Sequence, residues 1–286
     1  MSNFHGRFVW YELATSDMKA ARSFYADVVE WGTKDASTSG MAYSLFTAGK
    51  APVGGLLELP EAARKTGARP SWTGYIGVKN VDATVDRIKR LGGVVYVPPK
   101  DNPNISRFSV VADPQTATLA LFEWLKPSQE QPADLDAPGR VGWHELFAAD
   151  WEKAWAFYSD LFGWQKALAN ADVMGTYQMF SVGGVMIGGM FTKPPTVPVP
   201  FWLYYVSVAD IDAAVKRVSA RNGQVIDGPI KVPGGSWVVQ CTDPQGAIFG
   251  LVGKRRRKRR ASSTRTGWQA NPEPLVVRRG RGSHRK

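Results

Sequence analysis

Two short stretches hold the residues best suited to chemistry. Gly6-Arg7-Phe8-Val9-Trp10-Tyr11-Glu12-Leu13 returns as Gly139-Arg140-Val141-Gly142-Trp143-His144-Glu145-Leu146, at a constant offset of 133 residues. Each alternates as a half-buried strand does, which puts Trp10 and Glu12 on one face and Val9, Tyr11 and Leu13 on the other. Glu145 stands beside Trp143 in the same way. A carboxylate against a tryptophan wall loses hydration and its pKa rises, as a general base that takes a proton next to a carbonyl requires. The same glutamate can instead hydrogen-bond backbone or an arginine and close a sheet seam. Glu12 and Glu145 are the candidate catalytic groups.

His144 invites a zinc reading, because His-Glu-Leu opens the His-Glu-x-x-His pattern. Position 148 is Ala148, however, and the segment reads as a strand rather than a helix. Alternation turns His144 toward the helix layer as a packed histidine. His5, His144 and His284 are too few and too scattered for a histidine-based metal centre. The single cysteine, Cys241, lies in a strand and is expected to be a buried, inert thiol. No phosphate-cradling loop is present, and Gly183-Gly184 and Gly188-Gly189 have turn or bulge spacing.

Aromatic residues recur with the repeat. Trp10, Trp72, Trp143 and Trp202, with Tyr43, Tyr75, Tyr177 and Tyr205, stand in both halves as core packing or as the walls of a cup for a planar or hydrophobic ligand.

The elements that must position these residues follow one programme. Asp17 and Asp150 stand where helix N-caps belong. Ala21, Phe24, Tyr25 and Val28 recur at helical spacing, and Phe157-Tyr158 repeats Phe24-Tyr25. Short strands then complete a β-α-β-β-β unit, and a second unit begins near Trp72 and again near residue 201. The loop 60–70, rich in Pro, Gly and basic residues, joins the first two units. Asp113-Pro114-Gln115 and Asp243-Pro244-Gln245 mark hairpin turns before the last strands. The spacing predicts an α+β protein with one domain over 1–125, a Pro-containing linker over 126–138 and a second domain over 139–253.

The net charge of +11 belongs to the C-terminal segment beyond these domains. Residues 254–286 carry 13 Lys or Arg and one acid, Glu273, so the two domains together are close to neutral. Such a tail can bind nucleic acid or an anionic surface without sequence preference, or can be a solvated extension or an altered reading frame. One cysteine, no signal-peptide order and no apolar run near the ~18 residues of a membrane span predict a soluble cytoplasmic protein.

Four β-α-β-β-β units, with Trp-x-Glu-Leu, Asp and Phe-Tyr opening each domain and Asp-Pro-Gln before its last strand, resemble the vicinal oxygen chelate superfamily of glyoxalases, bleomycin-resistance proteins and extradiol dioxygenases. The wording Trp143-His144-Glu145-Leu146 with Phe162-Gly163-Trp164 is similar to tandem glyoxalase-like proteins of actinobacteria, some labelled hydroxylase. The resemblance covers about residues 5–253. It implies curled sheets around a cavity with helices outside, and Trp10 and Glu12 facing that cavity. It also implies a metal held by His and Glu at three strand positions. In this chain those positions are Trp10, Thr73 and Ala120, then Trp143, Leu203 and Gly250, so no metal or other cofactor is expected. The expected function is binding of a small carbonyl or aromatic compound, with lyase, isomerase or hydroxylase chemistry on Glu12 or Glu145. The alternative is a non-catalytic module that sequesters a drug or hydrophobic metabolite. The expected assembly is a monomer with pseudo-dimeric domain pairing, or a homodimer.

Overall fold

The computed structural model describes residues 4–126, 134–172 and 175–255. The first half runs β1 (Phe8–Thr15), α1 (Met18–Val29), β2 (Gly32–Asp35), β3 (Tyr43–Ala48), β4 (Ala51–Glu58), α2 (Glu61–Lys65), β5 (Ser71–Gly77), α3 (Val81–Arg90), β6 (Val94–Asn102), β7 (Ser106–Ala112) and β8 (Thr118–Trp124). The second half runs β9 (Val141–Ala148), α4 (Trp151–Phe162), β10 (Gln165–Asp172), β11 (Gly175–Val182), β12 (Val185–Thr192), β13 (Phe201–Val208), α5 (Ile211–Ala220), β14 (Gln224–Lys231), β15 (Trp237–Thr242) and β16 (Ile248–Gly253). Each half makes one eight-stranded sheet, ordered β2-β3-β4-β1-β5-β8-β7-β6 and β10-β11-β12-β9-β13-β16-β15-β14. The two units of a half join where β1 pairs antiparallel with β5, and β9 with β13.

Local chemistry sets the helix starts. Asp17, Asn80, Asp150 and Asp210 each accept backbone N–H groups of the first turn, and all four sit in extended backbone as N-caps do. The segment 60–70, expected to be a loop, contains the single turn of α2, tied by a Lys65–Glu61 ion pair at 2.9 Å.

The helix side of both sheets is one continuous apolar core. Leu13, Phe24, Tyr25, Leu56 and Ile76 from the first half pack with Leu146, Tyr158, Phe162, Trp202 and Phe249 from the second. The contacts across it are reciprocal, as an isologous interface requires. The Trp31 indole donates to the Gly139 carbonyl at 2.8 Å, and Trp164 donates to that of Gly6 at 2.7 Å. Tyr25 donates to Asp243 at 3.2 Å, and Tyr158 to Asp113 at 3.0 Å.

Those aspartates open the two Asp-Pro-Gln turns. The second oxygen of Asp113 accepts the N–H groups of Gln115 at 2.8 Å and Ala117 at 2.9 Å, and Asp243 repeats the pattern with Gln245 and Ala247. Each turn therefore reads twice, once as a local cap and once as a tie to the other domain. Gly246 takes φ 92 in one turn, whereas Thr116 holds φ 80 in the other, a conformation that costs a residue with a Cβ about 1–2 kcal/mol.

Of the linker, residues 134–138 are described. The basic tail lies outside the described residues from 256 onward. Its first two residues are docked: Lys254 donates to the Gly234 carbonyl at 2.8 Å, and Arg255 stacks 3.6 Å over the Trp237 ring while bonding Asp212 at 3.0 Å.

Candidate functional site

On the face of each sheet away from the helices, the repeat builds the same small network. The Tyr43 hydroxyl donates to Glu12 Oε1 at 2.6 Å, the Tyr75 hydroxyl donates to Glu12 Oε2, and the Trp10 indole N–H donates to Tyr43 Oη at 3.3 Å. In the second half Tyr205 donates to Glu145 Oε2 at 2.7 Å, the Trp143 indole donates to Tyr177 Oη at 2.8 Å, and Tyr177 lies close enough to Glu145 to feel its charge. Strand register explains the assembly. Trp10 is the partner of Tyr75 and Trp143 of Tyr205, while Glu12 lies opposite Gly55 and Glu145 opposite Gly189.

The two glycines make the network sterically allowed. A Cβ on Gly55 would sit 1.8 Å from Tyr43 Oη and 3.1 Å from Glu12 Cγ, and one on Gly189 would lie 2.3 Å from the Tyr177 ring. Sequence reasoning assigned the Gly188-Gly189 pair to a turn or bulge. A register shift does occur beside Gly188, but both glycines lie within β12, and Gly189 clears the space that Tyr177 fills. The signal available in the sequence was that Gly54-Gly55 and Gly188-Gly189 recur together with the tyrosines.

Burial dominates the electrostatics. It raises the Glu145 pKa above the ordinary carboxylate range, partly opposed by the Tyr205 and Tyr177 hydroxyls and reinforced by Asp227. It also holds Tyr43, Tyr75, Tyr177 and Tyr205 well above their usual pKa, with the adjacent glutamate charge adding to the effect. The tyrosines are therefore neutral donors at every physiological pH. Each network offers a carboxylate, two phenols and an indole in an apolar setting: Phe122, Phe108, Val110 and Trp124 around the first, Leu203, Phe147 and Phe191 around the second.

Comparison with known proteins gives this geometry a family. The profile of the Glyoxalase/Bleomycin resistance protein/Dioxygenase superfamily matches residues 7–121 and again 140–251. The chain belongs to this superfamily. It is similar to a Mycobacterium tuberculosis protein named a glyoxylase, CFP32, with 32% identity over 246 residues, covering 85% of this chain and 93% of that protein. It is also similar to the anthracycline biosynthesis protein DnrV of Streptomyces peucetius, with 28% identity over 260 residues, covering 86% and 93%. Among solved structures, the Mn(II)-bound glyoxalase of Novosphingobium aromaticivorans superposes with a TM-score of 0.55 at 16% identity, covering 87% of this chain and 82% of that one. The 2,3-dioxygenase LapB of Pseudomonas sp. KL28 gives 0.59 at 11%, covering 87% and 92%. These two likenesses are of fold.

The resemblance places the superfamily's metal ligands at strand positions where this chain offers little to a cation. Trp10 and Thr73, Trp143 and Leu203 supply no carboxylate or imidazole. The remaining two positions are covered: Ala120 lies opposite Tyr75, and a Cβ on Gly250 would be 2.3 Å from the Tyr205 ring. The carboxylate at hand, Glu12, already receives a phenol on each oxygen. Among the described residues no three of His, Cys, Asp and Glu come together. This donor set does not fit a divalent metal bound through His and Glu.

Two of the eight candidate aromatics lie elsewhere. Trp72 donates to Tyr25 Oη at 2.8 Å and Trp202 to Tyr158 Oη at 3.1 Å, which puts both in the helix-side core and not in a cup with Tyr75 and Tyr205. Parity explains the correction, since residues three apart on a strand point to opposite faces. A cavity of about 10 Å³ beside Trp72, lined by Trp31, Val141, Tyr204, Val206 and Phe249, has room for a water and no more.

His144 is packed, as expected, but against the other domain rather than the helices. Its ring stacks on Phe8 with centroids 4.0 Å apart, and its Nε2 meets Tyr11 Oη at 2.6 Å. Tyr11 is the residue equivalent to His144 in the repeat, so the two meet across the approximate twofold. Nδ1 lies 2.5 Å from the Ile187 carbonyl, which can only accept, so Nδ1 carries the proton and Nε2 accepts from Tyr11. Cys241 is fully buried, and burial pushes its thiol up to about 12, too high for a nucleophile at neutral pH.

Proposed function

We propose that the chain binds a small aromatic or carbonyl compound on the helix-free sheet faces, between tryptophan and tyrosine walls and a glutamate–tyrosine anchor, without a divalent metal ion. The observation that carries this reading is the Trp-Glu-Tyr-Tyr network, built twice from equivalent residues and given room by a glycine each time. A carboxylate flanked by neutral phenols is a ready acceptor for a ligand hydroxyl, and the surrounding rings match a planar body. Similarity to a protein named for anthracycline biosynthesis supports a planar aromatic ligand.

Sequestration fits Glu12 better than catalysis does, because each of its oxygens already accepts a phenol hydrogen bond and is held as part of an anchor. A second reading, proton abstraction next to a carbonyl in a lyase or isomerase reaction, rests on Glu145, whose pKa burial raises toward the useful range. The double variant Glu12→Gln/Glu145→Gln separates these. It is expected to lower affinity for a hydroxylated aromatic probe by about 10-fold or more, the worth of a hydrogen bond to a charged group. Quenching of tryptophan fluorescence reads the affinity. Unchanged affinity in the double variant sinks the anchor, and turnover lost with affinity retained favours the proton-abstraction reading.

A further inference from the structure

The two networks are alike, but the faces around them are not. Beyond Glu145 the second domain places Phe147, Phe191 and Phe201 together, with Phe147 4.6 Å from each of the other two rings and Phe191 stacked 5.8 Å from Tyr177. Register identifies the equivalent positions in the first domain. Phe147 pairs with Phe201 and with Phe191, as Ala14 pairs with Ser71 and with Leu57. Three phenyl rings at one end of the second face are thus replaced in the first by a methyl group, an isobutyl group and an exposed serine.

The polar groups differ in the same sense. In the second domain Gln240 donates to Tyr205 Oη at 3.1 Å, so the phenol that donates to Glu145 has also accepted a bond. Its counterpart beside Tyr75 is Val110, since Gln240 pairs with Gly250 and Val110 with Ala120. The Tyr75 oxygen therefore keeps its acceptor capacity. The indole N–H of Trp124, packed 4.7 Å from Phe122 in the first domain's cluster, is buried without a partner among the described residues. A buried donor of that kind is destabilising until something satisfies it. Finally, Lys100 lies 5.1 Å over the Phe108 ring, its register partner, where the second domain pairs Ile230 with Val238.

We infer that the first domain receives the ligand, that the second domain's face is filled by its own phenylalanines, and that the ligand is a planar hydroxyaromatic carboxylate. The inference rests on the binding function proposed above and adds to it the domain and the class of compound. The hydroxyl meets the Glu12 and Tyr75 pair, the ring fills the space left by Ala14, Leu57 and Ser71 against Trp10 and Tyr43, and the carboxylate faces Lys100. The second domain then serves as the partner whose Tyr158 and Trp164 brace the first.

Calorimetric titration of the full chain with 1-hydroxy-2-naphthoate tests this. One site per chain is expected. Ala14→Phe, which installs the second domain's ring in the first, lowers affinity at least 10-fold. Ser71→Phe does the same at an exposed position that makes no demand on the core. Val238→Phe, the added ring in the second domain, changes affinity less than 2-fold. Lys100→Met weakens the naphthoate several-fold and leaves 1-naphthol within 2-fold. Two equal sites, a large loss in Val238→Phe, or full affinity in Ser71→Phe overturns the assignment to the first domain. Equal losses for the naphthoate and 1-naphthol in Lys100→Met overturn the carboxylate. If the unaltered chain binds neither compound, the binding function itself fails and this inference with it.

Discussion

Acidification from pH 6.5 to pH 4 is expected to remove about 3 kcal/mol of folding stability through His144 alone. Burial lowers its pKa to about 4, against a small opposing contribution from the Ile187 carbonyl. The unfolded chain takes its proton near pH 6.5, so it binds more protons than the folded chain throughout that window. Stability is therefore full above pH 6.5 and falls as pH drops toward 4. The raised pKa values of Glu145, Asp113 and Asp243 act in the opposite direction, since those groups bind their protons earlier when folded. His144→Phe isolates the histidine. It keeps the stack on Phe8, leaves Tyr11 Oη and the Ile187 carbonyl unpaired at some cost at pH 7, and removes the histidine's share of the pH slope. Urea unfolding at pH 4, 5, 6 and 7 measures both proteins, and parallel pH profiles would remove His144 from the account. Because Tyr11 and His144 join the two domains, the loss is expected in the cooperative transition of the pair rather than in one domain.

Gly55→Ala is expected to break the first network while leaving the fold in place. The new Cβ would lie 1.8 Å from Tyr43 Oη, which must leave Glu12, and the atom displaced is the far end of a side chain rather than backbone. Overpacking of this sort costs about 1–3 kcal/mol, less than most domains have in hand. Affinity for 1-hydroxy-2-naphthoate should drop about 10-fold or more, with the thermal transition still cooperative. Gly54→Ala is a control beside it. Its Cβ would approach the Tyr11 carbonyl at 3.0 Å and would not reach the Glu12 pair, so it is expected to trade stability without the same loss of affinity. Equal affinity in Gly55→Ala and the unaltered chain would mean that Tyr43 holds nothing of importance.

Much of the architecture was legible because it is written twice. The 133-residue offset, the capping Asp17 and Asp150 and the paired Asp-Pro-Gln turns lead to two domains of two β-α-β-β-β units each. Strand parity set Glu12 beside Trp10 and Glu145 beside Trp143, and turned His144 away from Trp143 and Glu145. Parity applied to Trp72 and Tyr75 would have sent the tryptophan to the core; grouping residues by type alone put both in one cup. What the sequence could not supply was the pairing across the twofold. Tyr25 reads as part of a helix stripe and Asp243 as a turn residue, and 218 positions separate them, yet they share a buried hydrogen bond. The same holds for Tyr11 and His144, whose equivalence under the repeat becomes a contact only once the two domains are docked. Gly55 and Gly189 were visible as glycines, but the reason for them is a tyrosine on a neighbouring strand.

The central claim is that a glutamate held by two tyrosines does the anchoring that a metal ion performs in metal-binding members of the superfamily. The most direct test is the affinity of the full chain for 1-hydroxy-2-naphthoate before and after exhaustive chelation, with metal content determined on the same sample. The account predicts sub-stoichiometric metal and an affinity that chelation does not change. Stoichiometric metal, with binding lost on chelation and restored by a divalent cation, would contradict it.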